Sequence, residues 1–221
     1  MAGDAQALSR PDTTEWQNAM DSEALSRPDA TEWQNAMDSD IQSLIANGTF
    51  DCVPLPAGRK AIKTKWVFKI KMVPSGEIDK YKARLVAGGY SQVHGIDYTE
   101  TFSPVVKYST IRLLLALSVQ HKWQIGQADV KTAFVKADLD ELIYVMPAEG
   151  YSEPHGKVWQ LKKALYRLKQ SSRAWWTSLT AFMIEMGFTH AKSDTCMYYD
   201  GMGESVLIVV AYVDDNVSDA S

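Results

Sequence analysis

Trp33, Met37, Ile41, Leu44 and Ile45 fall at helical spacing, and they predict a helix that Thr31 can cap and Asn47-Gly48 stops. The pattern then changes period. Over Trp66–Lys71, within Ala61–Met72, apolar and basic residues alternate, which is the mark of a half-buried strand. Pro74-Ser75-Gly76-Glu77 is a turn signal, Ile78–Ala87 reads as the return strand, and Gly88-Gly89 ends it. A helix with a wide apolar face is predicted over Ser109–His121, and a short strand over Trp123–Val130 that carries Asp129 near its end. Leu142–Val145 is a further strand closed by Pro147, Lys157–Leu165 is mixed, and Ser171–Met186 is an amphipathic helix ended by Gly187. The chain closes on a hairpin: Cys196–Tyr199, the turn Asp200-Gly201-Met202-Gly203, and Ser205–Val213. That last arm is β-branched and almost wholly apolar, so it is expected to be buried on both faces, with Asp214-Asp215 where it emerges into a turn.

The predicted first helix has a twin. Ala7–Glu23 recurs as Ala24–Asp40, differing only at Thr13/Ala30 and Glu23/Asp40. Two units do not make a solenoid, so a tandem duplication is the simpler account. The second copy runs directly into the rest of the chain and is read as the working one. Residues 1–30 are expected to be a loosely attached helical segment, and residues 31–221 the main domain.

Composition is that of an ordinary globular protein, with 46% apolar and 23% charged among 221 residues. The longest apolar run, Val206–Val213, is too short to span a bilayer as a helix, and no charged-then-apolar leader opens the chain. Cys52 and Cys196 belong to no ligand-spaced set, which argues against a disulfide framework or structural zinc. The expected setting is reducing and intracellular.

Charge alters the picture more than composition does. The net −4 is segregated into −8 over residues 1–51, +7 over 59–84, +6 over 157–173 and −6 from 185 onward. Basic blocks flanked by acidic ones suit a polyanion surface beside a pole of carboxylates, although Lys and Arg also simply solubilise strand faces.

Asp129, Asp214 and Asp215 stand at predicted strand ends. Carboxylates beside buried apolar strands are costly unless paired with a cation, and hard oxygen ligands suit Mg²⁺, with Mn²⁺ as an alternative. Two such ions can activate an attacking hydroxyl and stabilise a leaving pyrophosphate. An isolated Asp-Asp pair after a strand, by contrast, is an ordinary turn.

The surroundings decide between these readings. Lys65-Trp66-Val67-Phe68-Lys69, Tyr81–Ala87, Gly95-Ile96-Asp97-Tyr98, Glu100–Val105, Asp129-Val130-Lys131-Thr132-Ala133-Phe134, Ala164-Leu165-Tyr166, Leu168-Lys169-Gln170-Ser171 and Tyr212-Val213-Asp214-Asp215 follow one another in the order and at the spacing of a known domain. From about Glu32 to Asp215 the chain resembles the reverse transcriptase domain of copia-type retrotransposon Pol polyproteins. The resemblance implies an α/β (α+β) fold comprising the fingers and palm of a polymerase right hand, and RNA-directed DNA polymerase activity. It implies that Asp129, the Val130 carbonyl, Asp214 and Asp215 hold two metal ions, and that Phe134 excludes a ribose 2′-OH. It implies that Gln170 contacts the incoming nucleotide. The triphosphate falls to the basic hairpin, with Lys82 and Arg84 as candidates and Lys80 also open. Lys169 and Arg173 could hold template or primer phosphates, an interaction that salt would weaken. Trp175 and Trp176 could stack on bases, but their spacing with Leu179, Phe182 and Met183 is equally that of a helix core.

Three departures from the family pattern stand out. Arg167 replaces the usual Gly before Leu168, Ser172 replaces a Pro, and Lys136-Ala137 falls where a Gly is usual. A side chain in place of Gly strains the backbone if φ is positive. After Asp215 only Asn216–Ser221 follow, so the sequence reads as a truncated copy without the thumb and ribonuclease H expected in the same polyprotein. The expected partners are template–primer and deoxynucleotides, without a membrane. The alternative is a catalytically dead remnant that binds nucleic acid.

Overall fold

The computed structural model describes residues 28–151, 156–202 and 205–212. Asp214, Asp215, Val213 and the first copy of the repeat lie outside them. The architecture is mixed α/β, with three helices and three small antiparallel sheets.

Helix α1 (Ala30–Ala46) buries Trp33, Met37, Ile41 and Leu44, the predicted stripe. Ile45 is the exception: at 54% exposed it lies off that face. The helix also starts earlier than predicted, with Asp29 at the N-cap rather than Thr31 and no side-chain cap bond. Strands β1 (Phe50–Pro54), β4 (Asp138–Val145) and β5 (Lys157–Lys163) form one sheet in the order β1-β5-β4. Lys157–Leu165, ambiguous by pattern, is thus the central strand, with Val158, Trp159 and Leu161 buried.

Strands β2 (Thr64–Met72) and β3 (Ile78–Ala87) form the predicted hairpin, with Gly76 at φ 87 in its turn. Pairing places Trp66 opposite Leu85, Phe68 opposite Ala83 and Ile70 opposite Tyr81, so these six share one face. Helix α1 covers it: the Trp33 ring sits edge-on to Phe68 at 5.0 Å and to Tyr81 at 4.6 Å between centroids. The main core joins α1, this face and the β1-β5-β4 sheet through Met37, Leu85, Ile143, Val145 and Trp159. Two main-chain bridges lock the units together, Ile62 beside Val145 and Val86 beside Tyr166.

Helix α2 (Tyr108–His121) forms as predicted, but its apolar face is largely uncovered, with Leu113 59% and Val119 79% exposed. The strand predicted over Trp123–Val130 does not form: residues 123–130 are irregular and exposed. Among the described residues no strand pairs with this segment, and a lone strand is unstable in water. Helix α3 (Ser171–Glu185) is followed by the hairpin β6 (Thr189–His190), β7 (Met197–Met202) and β8 (Ser205–Val210). Strand β8 is expected to be buried on both faces; among the described residues it is an edge strand, with Leu207 58% exposed. No helix among the described residues is long and apolar enough to cross a membrane.

Candidate functional site

The second face of the β2–β3 hairpin carries cations. Register places Val67 opposite Arg84, Lys69 opposite Lys82 and Lys71 opposite Lys80, with Lys65 opposite Val86. The hairpin is therefore apolar where α1 lies and basic on its other face, where Lys69 and Lys71 are exposed and Lys82 and Arg84 are half-buried. Burial pushes the Lys82 ammonium below its ordinary pKa, and the crowded cations Arg84, Lys71 and Lys80 push it further, against Asp40. A face that disfavours its own charge favours an anion.

The Arg84 guanidinium lies 5.0 Å from the centre of the Tyr166 ring. The same ring meets Phe134 edge-on at 5.2 Å. Phe134 opens a 3₁₀ turn (Phe134–Lys136) just after Asp129 in sequence, and is buried with Ala137 and Ala164 against Trp175. Burial raises the pKa of the Tyr166 phenol; the Arg84 cation opposes this, while the Asp40 and Asp129 carboxylates add to it. Tyr166 thus links the hairpin, the Phe134 turn and the field of Asp129. It was legible only as one letter of a motif; its role as the junction comes from packing.

Gln170 is 3% exposed and its amide is engaged on every side. Its Nε2 donates to the Asp97 carbonyl (2.8 Å) and Glu141 Oε2 (3.2 Å), and its Oε1 accepts from Gln92 Nε2 (3.0 Å). Gln92 Oε1 accepts in turn from the Lys169 backbone N–H. Gln170 therefore acts here as an internal tie, and no sequence signal pointed to Gln92 as its partner. Lys169 is exposed, its ammonium 5.5 Å from the centre of the Tyr98 ring. Arg173 donates to the Phe102 carbonyl, holding the Glu100–Val105 segment against α3. Trp175 joins the small cluster around Phe134, the core side of its two readings.

Asp129 and Val130 are exposed on the irregular segment that leads to the Phe134 turn. Among the described residues no group of three His, Cys, Asp or Glu side chains converges on a point. Asp214 and Asp215 are outside that set. The structure thus brings together Arg84, Phe134 and the field of Asp129 around Tyr166, places Lys82 beside Arg84, and sets Lys169, Gln170 and Arg173 on the neighbouring turn into α3.

A family profile described as reverse transcriptase (RNA-dependent DNA polymerase) matches residues 47–221. The chain belongs to the reverse transcriptase family. Its relatives are retrotransposon proteins. The chain is 43% identical over 180 residues to the retrovirus-related Pol polyprotein from transposon TNT 1-94 of Nicotiana tabacum, covering 80% of this chain and 14% of that one. It is 41% identical over 179 residues to the Pol polyprotein from transposon RE1 of Arabidopsis thaliana, again 80% of this chain but 12% of the other. The Ty1-H Gag-Pol polyprotein of Saccharomyces cerevisiae is 28% identical over 170 residues, 72% of this chain and 9% of its own length. The chain therefore spans about one-seventh or less of these three polyproteins. No solved structure matches it.

The departures read from the sequence can now be placed. Arg167 has φ 66, so a side chain stands in the left-handed region where Gly is at ease. Ala137, in contrast, is extended at φ −86 and fully buried, so a Cβ there meets no backbone penalty.

Proposed function

We propose that this chain is the fingers and palm of a retrotransposon polymerase, adding deoxynucleotides to a primer 3′-OH on an RNA or DNA template inside the cell. The observation that carries the proposal is the convergence on Tyr166: Arg84 of the cationic hairpin face and the aromatic wall at Phe134 meet at one ring, with Asp129 five residues before Phe134 in the chain. Triphosphate oxygens suit Arg84, whose fork makes paired hydrogen bonds, with Lys82 beside it as a point charge. Phe134 limits the space beside the sugar, and Gln170 fixes the turn beneath. Lys169 and Arg173 extend the basic surface toward template and primer phosphates.

The chemistry calls for divalent metal. Asp129, the Val130 carbonyl, Asp214 and Asp215 are hard oxygen donors, the kind Mg²⁺ takes. Bound there, two ions would lower the pKa of the attacking hydroxyl and stabilise the leaving pyrophosphate. The chain's own contribution is to orient the triphosphate and to shape the sugar site.

One observation favours a second reading, a nucleic-acid-binding remnant without catalysis: Asp129 and Val130 lie on an exposed segment with no regular structure. Primer extension on poly(rA)·oligo(dT) with Mg²⁺ separates the two. The proposal expects incorporation that Asp129→Asn and Asp214→Asn each reduce by 10²-fold or more, on the order of removing a key electrostatic group. Phe134→Ala is expected to admit ribonucleotides. Salt-sensitive binding of the primer–template without any incorporation would establish the remnant reading instead.

A further inference from the structure

Gln92 and Gln170 are 7% and 3% exposed, and their amides meet between the end of the hairpin and the turn into α3. A buried amide pair costs desolvation, and an apolar pair of the same size would fill the space without that cost. What only amides supply is direction. Gln92 engages two consecutive residues: its Nε2 donates to Gln170 Oε1 at 3.0 Å, and its Oε1 accepts from the Lys169 N–H at 2.8 Å. That N–H has no main-chain acceptor among the described residues. The turn's own bonds are long, 3.3 Å from the Leu168 N–H to the Leu165 carbonyl and 3.2 Å from the Ser171 N–H to the Leu168 carbonyl. Arg167 stands in the same turn at φ 66, a strained position for a side chain. The turn therefore depends on support from outside itself, and Gln92 supplies it.

The far end of Lys169 is held by the same stretch of chain. Its ammonium lies 5.5 Å from the centre of the Tyr98 ring. Tyr98 is fixed in turn, because its carbonyl accepts from the Gly95 N–H. The adjacent Asp97 accepts from the Val93 N–H through Oδ2 and from Gln170 Nε2 through its carbonyl. Residues 92–98 thus grip Lys169 at its main chain and at its charge. The side chain is exposed, and among the described residues no carboxylate forms an ion pair with it. A cation anchored at both ends and open on its outer side meets an anion with little ordering left to lose. We infer that Gln92 is a positioning residue of the proposed nucleic-acid surface: it touches no ligand, and it acts by fixing the turn that presents the Lys169 ammonium to a phosphate. This deepens the proposed function and rests on it for the identity of the ligand.

The test is fluorescence anisotropy of the full chain on labelled poly(rA)·oligo(dT), without nucleotide, across a salt series. Lys169→Ala is expected to make the slope of log K against log salt shallower by about 1, the mark of one lost phosphate contact. Gln92→Met fills the same space without donor or acceptor. It is expected to weaken binding about 5-fold and to share the shallower slope, although it removes no charge. A residue with a structural role alone would leave the slope where it is. The double variant Gln92→Met/Lys169→Ala should bind within about 2-fold of Lys169→Ala, because residues that act through one contact do not add. Hydrogen exchange reads the joint itself. In Gln92→Met the Lys169 amide should exchange at least about 10-fold faster, while the Ala174 N–H, bonded to the Gln170 carbonyl, keeps its protection and so excludes general unfolding. If Gln92→Met does not fold, Tyr98→Leu releases the ammonium at its other end and is expected to show the same lack of additivity with Lys169→Ala. Losses that multiply in the double variant would overturn the inference, as would an unchanged slope in Gln92→Met or in Lys169→Ala. No readout needs catalysis: primer extension can fail with the coupling intact, and can succeed with the coupling absent.

Discussion

Asp194 is a buried carboxylate that ties two elements together. Its Oδ2 accepts from the Lys107 backbone N–H at 3.0 Å and the Thr110 hydroxyl at 2.6 Å, and its Oδ1 accepts from the Cys196 N–H at 3.1 Å. Burial alone would raise its pKa, but these donors and the Lys107 ammonium outweigh burial and lower it. A carboxylate with a depressed folded pKa contributes stability that is complete above its unfolded value, about 3.9, and is lost as pH falls through the folded value. Asp194→Ala strands buried donors and is expected to cost at least about 2 kcal/mol in urea unfolding at neutral pH. That deficit should shrink below about pH 4, where wild type loses the same contribution; a deficit equal at both pH values would refute the assignment. Asp40 has the opposite sign. It accepts from the Leu85 N–H at 2.8 Å, yet burial raises its pKa against that bond and the nearby Arg84 and Lys82 cations. Its ionised form is therefore held at a cost that grows as pH rises through its folded pKa.

Among the elements, the β2–β3 hairpin shows how a period of two divides labour. Trp66, Phe68, Leu85 and Tyr81 face α1, while Lys69, Lys71, Lys82 and Arg84 face away. A one-residue slip would exchange these faces and bury the cations, so register is fixed by the apolar face and the basic face follows. The hairpin's end is fixed by Gly89, whose missing side chain lets the Arg167 segment pass. Gly89→Ala is expected to destabilise by about 1–3 kcal/mol, because backbone cannot move aside as a flexible side chain can. The loss should appear as a lower urea midpoint. Stability equal to wild type would mean that the joint opens without cost.

Across the whole molecule, burial is uneven. Helix α1 buries four apolar side chains, three of them in the main core, whereas the one buried residue of α2 is Ser118, its Oγ donating to the Leu115 carbonyl. Stability follows burial locally, since segments with few apolar contacts open with less free energy than the whole. Native-state hydrogen exchange should therefore find the α1 and β3 amides protected near the global limit, and the α2 amides exchanging orders of magnitude faster. Protection in α2 equal to that in α1 would contradict this order. The uncovered α2 face, with Leu113, Leu115 and Val119, sits in a chain that spans 14% or less of its polyprotein relatives.

The sequence by itself determined the local elements wherever a strong period met a turn residue: α1 from its Trp33-to-Leu44 stripe, the β2–β3 hairpin to its last residue, and α3 up to Gly187. It also determined the family, because ordered motifs carry that information without any geometry. It could not determine which apolar stretches find cover. Residues 123–130 look like a strand and β8 looks like a buried one, but burial depends on a neighbour that a one-dimensional pattern does not contain. The same limit applied to the site. Sequence named Arg84, Phe134 and Asp129 separately, and Gln170 as a contact to the incoming nucleotide; only tertiary packing put Tyr166 between Arg84 and Phe134 and paired Gln170 with Gln92. Periodicity encodes each element's own faces, whereas a site is a meeting of faces from distant parts of the chain, decided by how the whole core closes.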